Sequence, residues 1–254
     1  MSNTIVVAVS SQKGGVGKST LTVLLASYLY YVKGYDVAVM DCDSPQHSLD
    51  GERKRELSDV RAIPHLSKMA DELKEQTGKR PYAIMKAGLG EALDKVQLYL
   101  DRYEPDFLFL DLPGTINNVH ILNIIANIHH VFCPMTADKF AIESTIPFCR
   151  YLNDRLISTG LGNIKTVNVL WNMVDSRERT DLYHAYDDLM EEYNISVMKT
   201  TLPASVRFRR GLNSKEKRPV FRSTLFPPDK SLIKNSGIEE LVAEFLAITG
   251  KSDG

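Results

Sequence analysis

The 254-residue sequence predicts an α/β fold, a mostly parallel sheet covered by helices on both faces. Three observations carry this. Short apolar runs such as Ile5–Val9 (IVVAV) and Phe107–Leu110 (FLFL) lack polar alternation, which marks strands buried on both sides. Segments with apolar residues at helical spacing separate them. Strand and helix then alternate along the chain, the order that produces parallel pairing through helical crossovers. Hydrophobic residues make up 43% and charged residues 25%, ordinary globular usage for a chain of this length, so residues 1–254 are expected to form a single domain.

In chain order, the strand at Ile5–Val9 runs into a glycine-rich turn and then a helix over Ser19–Val32. Asp36–Asp41 (DVAVMD) reads as a second strand ending in carboxylates. Leu49–Lys79 is highly charged, with leucines at mixed helical intervals, and is expected to be helical and peripheral. Leu89–Arg102 is amphipathic and leads into a strand at Phe107–Asp111. Strands are predicted at His129–Pro134, Thr166–Asn172 and Val197–Leu202, and helices at Ile142–Ile157, Leu182–Tyr193 and Ile238–Ile248.

Several classes are excluded early. No segment approaches the roughly 20 consecutive apolar residues that span a bilayer, and Met1–Ser11 lacks the basic start of an export signal. Cys42, Cys133 and Cys149 form no C-x-x-C pair and read as reduced thiols, so a cytoplasmic location is expected. The net charge of -1 argues against a wholly basic nucleic-acid binder. Charge is local instead. Between Val206 and Arg222 stand Arg207, Arg209, Arg210, Lys215, Lys217, Arg218 and Arg222, with Glu216 as the one acid. Such a run is either a phosphate-binding face or an ordinary solvated surface.

The most specific segment is Ser10 to Thr20, SSQKGGVGKST, directly after a strand and directly before a helix. Glycines there let backbone N–H groups turn inward, and the helix N-terminus adds partial positive charge. In such a cradle Gly14, Gly15, Val16, Gly17, Lys18, Ser19 and Thr20 enclose phosphates. Lys18 reaches the β- and γ-phosphates and the Ser19 hydroxyl ligates Mg²⁺. The general pattern would place glycine at position 12, where this chain has Gln12, and it adds a second lysine, Lys13.

The K-G-G-V-G-K-S-T string resembles the deviant Walker A motif of the ParA/MinD family of ATPases. The resemblance implies a doubly wound P-loop NTPase fold using ATP and Mg²⁺, and an ATP-bound homodimer. In it Lys13 would reach the nucleotide held by the partner subunit. Asp41-Cys42-Asp43-Ser44-Pro45-Gln46 is similar to the family's D-x-D-P-Q, with Ser44 inserted. By that likeness Asp41 would hold Mg²⁺-bound water and Asp43 would orient the attacking water, since phosphoryl transfer needs positioning above all. Asp111, with Leu112-Pro113-Gly114 behind it, resembles a Walker B strand and switch loop. Asp111 would stand behind the metal, and the Gly114 amide would feel the γ-phosphate. Asn172 and Pro203 match positions beside the adenine.

Absences narrow the branch. The final helix is acidic on its polar face, which an anionic bilayer would repel, so no membrane partner is expected. Iron–sulfur members carry paired cysteines and anion pumps two P-loops, and this chain has neither. With the cradle starting at residue 12, no N-terminal helix-turn-helix domain is expected. The resemblance then implies a ParA-type partition ATPase, or one serving maintenance or transfer of a plasmid or conjugative element. It would bind DNA without sequence preference when ATP-bound, through the seven basic residues of 207–222, and so associate with the nucleoid. Its slow hydrolysis would be stimulated by a ParB-like or other partner protein. An ATPase positioning a protein cluster without touching DNA is the alternative. A metabolic ligase or amidotransferase on the same fold would need a substrate signature that is not found.

Overall fold

A computed structural model describes residues 3–251 apart from 115–117, 176, 178–179 and 213–217, with the side chains of 180–182 also left undescribed. Seven strands are described: β1 (Ile5–Val9), β2 (Val37–Asp41), β3 (Ala83–Lys86), β4 (Phe107–Asp111), β5 (His130–Met135), β6 (Thr166–Trp171) and β7 (Ser196–Val197). They form one sheet in the order β3-β2-β4-β1-β5-β6-β7, and every pairing is parallel. The helices are α1 (Lys18–Ser27), α2 (Ser48–Ala62), α3 (Pro64–Thr77), α4 (Ala92–Leu100), α5 (Val119–Ala126), α6 (Lys139–Leu152), α7 (Thr180–Glu192), α8 (Lys230–Ile233) and α9 (Ile238–Thr249). α1 and α6 each run on into a π-helical turn, at Tyr28–Val32 and Asn153–Ile157.

The unbroken apolar runs are explained by two cores, one on each face. Alternate strand residues serve opposite sides. Val7, Val9, Phe107 and Phe109 join Leu21 and Leu25 of α1 and Phe245 of α9, whereas Val6, Ala8, Leu108 and Leu110 join Ile124 of α5 and Phe148 of α6. Phe245 is the keystone of the first layer, its ring 5.0–5.7 Å from those of Phe107, Phe109 and Phe132. The acidic last helix is therefore a docked core element, burying Ile238, Leu241, Val242, Phe245 and Leu246.

The charged stretch after residue 48 forms two helices, α2 and α3, broken at Ile63-Pro64 because proline is accepted in a first helical turn but not inside one. α3 buries Leu66 alone, in keeping with a peripheral position. Three of these described elements lie outside the sequence expectation, the edge strand β3 and helices α5 and α8. The expected strand over Val197–Leu202 is much shorter, ending at Val197. Beyond it the amides of Lys199 and Thr200 donate to the Glu244 carboxylate of α9, at 2.7 and 2.8 Å, in place of a sheet neighbour. Pairing resumes where Leu202 N donates to Trp171 O (2.9 Å) and Val174 bridges Pro203.

Candidate nucleotide-binding site

The site lies at the carboxyl ends of the central strands β2, β4 and β1, where ligands of parallel α/β sheets bind. β1 ends at Val9, and the loop turns through Gly15 (φ 79°) and Gly17 (φ 94°), conformations that side chains with a Cβ rarely adopt. Val16 between them is buried and ties the loop to the core. A Cβ on Gly17 would stand 2.6 Å from Asn172 Nδ2, so the backbone passes where only glycine fits. α1 starts at Lys18 with no side-chain cap and no acid in its first turn. Its leading amides are thus open to an anion.

Both lysines of the loop rest on internal partners. Lys18 Nζ donates to Lys13 O at 3.2 Å and lies 3.0 Å from where a Gly114 Cβ would be. Burial lowers the Lys18 pKa, while the charges of Asp111 and Asp43 raise it. Lys13 Nζ forms an ion pair with Asp138 Oδ1 and sits 5.7 Å from the centroid of Phe140.

The carboxylates converge from adjoining strands. Asp41 and Asp111 are register partners at the ends of β2 and β4, and both are fully buried. Ser19 Oγ donates to Asp111 Oδ2 at 2.6 Å. Asp41 is largely spent: its Oδ2 accepts from the Leu49 and Asp50 amides at 2.9 and 3.1 Å, anchoring the start of α2. Asp111 Oδ1 is buried without a hydrogen-bond partner. Burial first, then the charges of Asp41 and Asp43, push the Asp111 pKa up to about 7, against the Ser19 bond and Lys18. An orphaned carboxylate oxygen beside a serine hydroxyl suits a hard divalent cation. Among the described residues no three His, Cys, Asp or Glu side chains gather into a protein-only metal site. Mg²⁺ shares its coordination among few protein groups, phosphate oxygens and water, and Ser19 with Asp111 could be such groups. Asp43 stands half-buried on the loop that leaves β2, and the inserted Ser44 is exposed, with Pro45 and Gln46.

Asn172 does more than end a strand. Its Nδ2 donates to Val16 O (2.8 Å) and its Oδ1 accepts from Met173 N (2.9 Å), bracing the phosphate loop from β6. Pro203 stands beside it through the Val174 bridge.

The basic run divides. Arg207 Nη1 donates to the carbonyls of Leu232 (2.9 Å) and Lys234 (2.8 Å), so it fastens the chain around α8. Arg222 pairs with Glu52 (2.9 Å) and donates to Thr20 Oγ1 (3.2 Å), facing inward to the first turn of α1. Arg209, Arg210 and Arg218 are exposed. Lys215 and Lys217 lie outside the described residues. Reading the sequence alone missed Asp138, Phe140 and Glu52. Only Asp138 carries a local signal, an acid placed as the N-cap of the helix it precedes.

A family model described as the CobQ/CobB/MinD/ParA nucleotide binding domain matches residues 7–218, from β1 through the phosphate loop into the basic run. The chain belongs to this family. ParA and MinD are P-loop ATPases, and so is this chain. It is 26% identical over 222 residues to the sporulation initiation inhibitor protein Soj of Bacillus subtilis (strain 168), covering 80% of this chain and 85% of Soj. Its fold resembles a plasmid partition protein of Borrelia burgdorferi B31 bound to AMPPNP (TM-score 0.61, 18% identity, 96% and 99% of the two chains). It also resembles the septum site-determining protein MinD of Pyrococcus horikoshii complexed with Mg-ADP (TM-score 0.59, 16% identity, 96% of each chain). In the ParA/MinD fold seen here, no helix among the described residues is long and apolar enough to cross a membrane.

Proposed function

We propose that this ParA/MinD-family chain binds ATP with Mg²⁺, dimerises in that state, and uses slow, partner-stimulated hydrolysis to partition DNA or maintain a mobile element. The observation that carries the nucleotide part is the uncapped α1 N-terminus behind Gly15 and Gly17, with Lys18 and Ser19 at its mouth. Loop amides and the Lys18 ammonium bind the phosphates, Lys18 leaving the Lys13 carbonyl to do so. The Ser19 hydroxyl, which donates to Asp111 in the free chain, would hold Mg²⁺, with Asp111 and Asp41 supporting it. Mg²⁺, when bound, offsets charge that develops on the phosphates. Asp43 orients the attacking water, Gly114 closes toward the γ-phosphate, and Asn172 and Pro203 flank the adenine. Dimerisation is supported by exposed apolar side chains: Phe140, beside Lys13, and Val119 are each 74% exposed and Val206 71%.

The DNA part rests on Arg209, Arg210 and Arg218, each exposed and each later in the chain than β7. Binding by such a face is electrostatic and indifferent to sequence. The test is binding of random duplex DNA with ATP and with ADP, across a salt series. Wild type is expected to bind with ATP, with affinity falling steeply with salt, roughly one unit of slope less per arginine removed. An Arg209→Ala, Arg210→Ala, Arg218→Ala variant should lose DNA while keeping ATP hydrolysis; Arg207 and Arg222 are left intact because they hold the fold. Wild type that ignores DNA at low salt with ATP present would instead favour a protein cluster as cargo.

A further inference from the structure

Lys13, the lysine that sets this phosphate loop apart, is held within its own chain. Its ammonium pairs with Asp138 Oδ1, and its carbonyl accepts from Lys18 Nζ at 3.2 Å. Asp138 is itself firmly placed. It caps α6 by accepting from Ala141 N at 3.1 Å, and its second oxygen accepts from Thr136 Oγ1 at 2.5 Å. Hydrogen bonding from Lys13 first, and then from Thr136, holds the Asp138 pKa down at about 2, so it stays anionic at any working pH. Beside the pair stands Phe140, 74% exposed, over which the Lys13 ammonium lies.

The geometry points to Asp138 as a latch that parks Lys13 in the free subunit and opposes the ATP-bound dimer. The inference rests on the reading that Lys13 works across that dimer. A lysine has one ammonium, and the carboxylate and a partner-held phosphate compete for it. Each subunit must therefore break one Lys13–Asp138 pair when the dimer forms. Both side chains are partly solvent-exposed, 33% and 43%, which places the pair among modest surface ion pairs rather than buried ones. Such a pair is worth a factor of about 1.4 to 5. With two latches per dimer, releasing them should tighten dimerisation about 2- to 30-fold. The latch thus raises the protein and ATP concentrations at which subunits associate, without touching the phosphates itself.

Asp138→Asn removes the charge and keeps a side chain able to cap α6, and Asp138→Ser serves as a second variant with the same property. The dimer dissociation constant would be measured by sedimentation velocity with Mg²⁺ and a slowly hydrolysed ATP analogue, for wild type, Asp138→Asn, Asp138→Ser, Lys13→Ala and the Lys13→Ala, Asp138→Asn double variant. The expected result is tighter dimerisation for both Asp138 variants, failure for Lys13→Ala, and no gain from Asp138→Asn once Lys13 is gone. Unchanged or weaker dimerisation of the folded Asp138 variants, with Lys13→Ala defective, overturns the latch alone. If Lys13→Ala dimerises like wild type, the cross-subunit role of Lys13 falls and the latch falls with it. A gain from Asp138→Asn that persists without Lys13 also overturns it, since the aspartate would then act through something else.

Discussion

Replacing Gly17 by alanine is the sharpest probe of how the phosphate loop is held. At φ 94° an L-residue costs about 1–2 kcal/mol. The new methyl would also stand 2.6 Å from Asn172 Nδ2, which must move. Moving it breaks the 2.8 Å bond to Val16 O and leaves buried polar atoms unpaired, worth about 1–3 kcal/mol. The two effects together come to about 2–5 kcal/mol. That is within the reserve of a typical domain, so the variant should fold but melt about 4–20 °C lower. Calorimetric titration with Mg-ATP should show binding strongly weakened, because the first amides of α1 shift with the loop. Gly14→Ala is the control: a Cβ there meets nothing within 4 Å, so its melting temperature should stay near wild type. Adding Asn172→Ala to Gly17→Ala should be less than additive, since the clash is already relieved, with a coupling of about 0.5–3 kcal/mol. Strict additivity, or a Gly17→Ala protein that melts and binds like wild type, would refute the bracing of the loop by Asn172.

Two further outcomes are expected. Asp43→Ala should still bind ATP and accumulate as a dimer, since only the orientation of water is lost; a strictly monomeric variant on sizing with ATP would remove that role from Asp43. In metal-free protein Asp111 titrates near 7 rather than at its usual 3.8. Because its folded-state pKa is raised, its contribution favours folding at low pH and is lost as pH rises from about 4 through 7, at most about 4 kcal/mol. Asp111→Asn should flatten that dependence and stabilise the metal-free chain at pH 8, as read by urea melts in EDTA at pH 5 and pH 8. Equal pH dependence in wild type and variant would show that Asp111 is not the group that carries it.

The parts of the site legible in the sequence are those whose geometry is local. A strand, a glycine turn and a helix follow one another within residues 5–27, and backbone conformation alone makes a cradle of them. The apolar runs around Val7, Val39 and Phe109 announced central strands because burial on both faces leaves no room for polar alternation. β3 escaped notice because its apolar run is short, four residues at 82–85 (YAIM) between Pro81 and Lys86, and as an edge strand its residues are only partly buried or exposed. α5 is short, eight residues, and buries only three of them. The seven-residue basic run looked uniform because charge can be counted along a chain but not its direction. Arg207 and Arg222 turn inward to carbonyls of Leu232 and Lys234, and to Glu52 and Thr20.

What escaped the sequence most completely is the wiring of the cradle, because its bonds join residues far apart in the chain. Lys13 and Asp138 are separated by 125 residues, Ser19 and Asp111 by 92, and Asn172 and Val16 by 156. Only the strand order brings them together, since β4 and β5 flank β1 and β6 follows β5. This wiring changes how nucleotide binding should be understood. Lys18 begins on a carbonyl, Ser19 on a carboxylate and Lys13 on another, so for these side chains ligand entry is an exchange of partners, while the uncapped α1 amides and Asp111 Oδ1 are open to new ones. Each exchange subtracts from affinity what the internal bond contributed, about 0.5–1.5 kcal/mol for an ordinary hydrogen bond and more for a charged one. The same bonds keep the empty cradle shaped, with Lys13, Lys18 and Ser19 each held by a partner, and this offsets part of that loss by sparing the loop the entropy of ordering when nucleotide arrives.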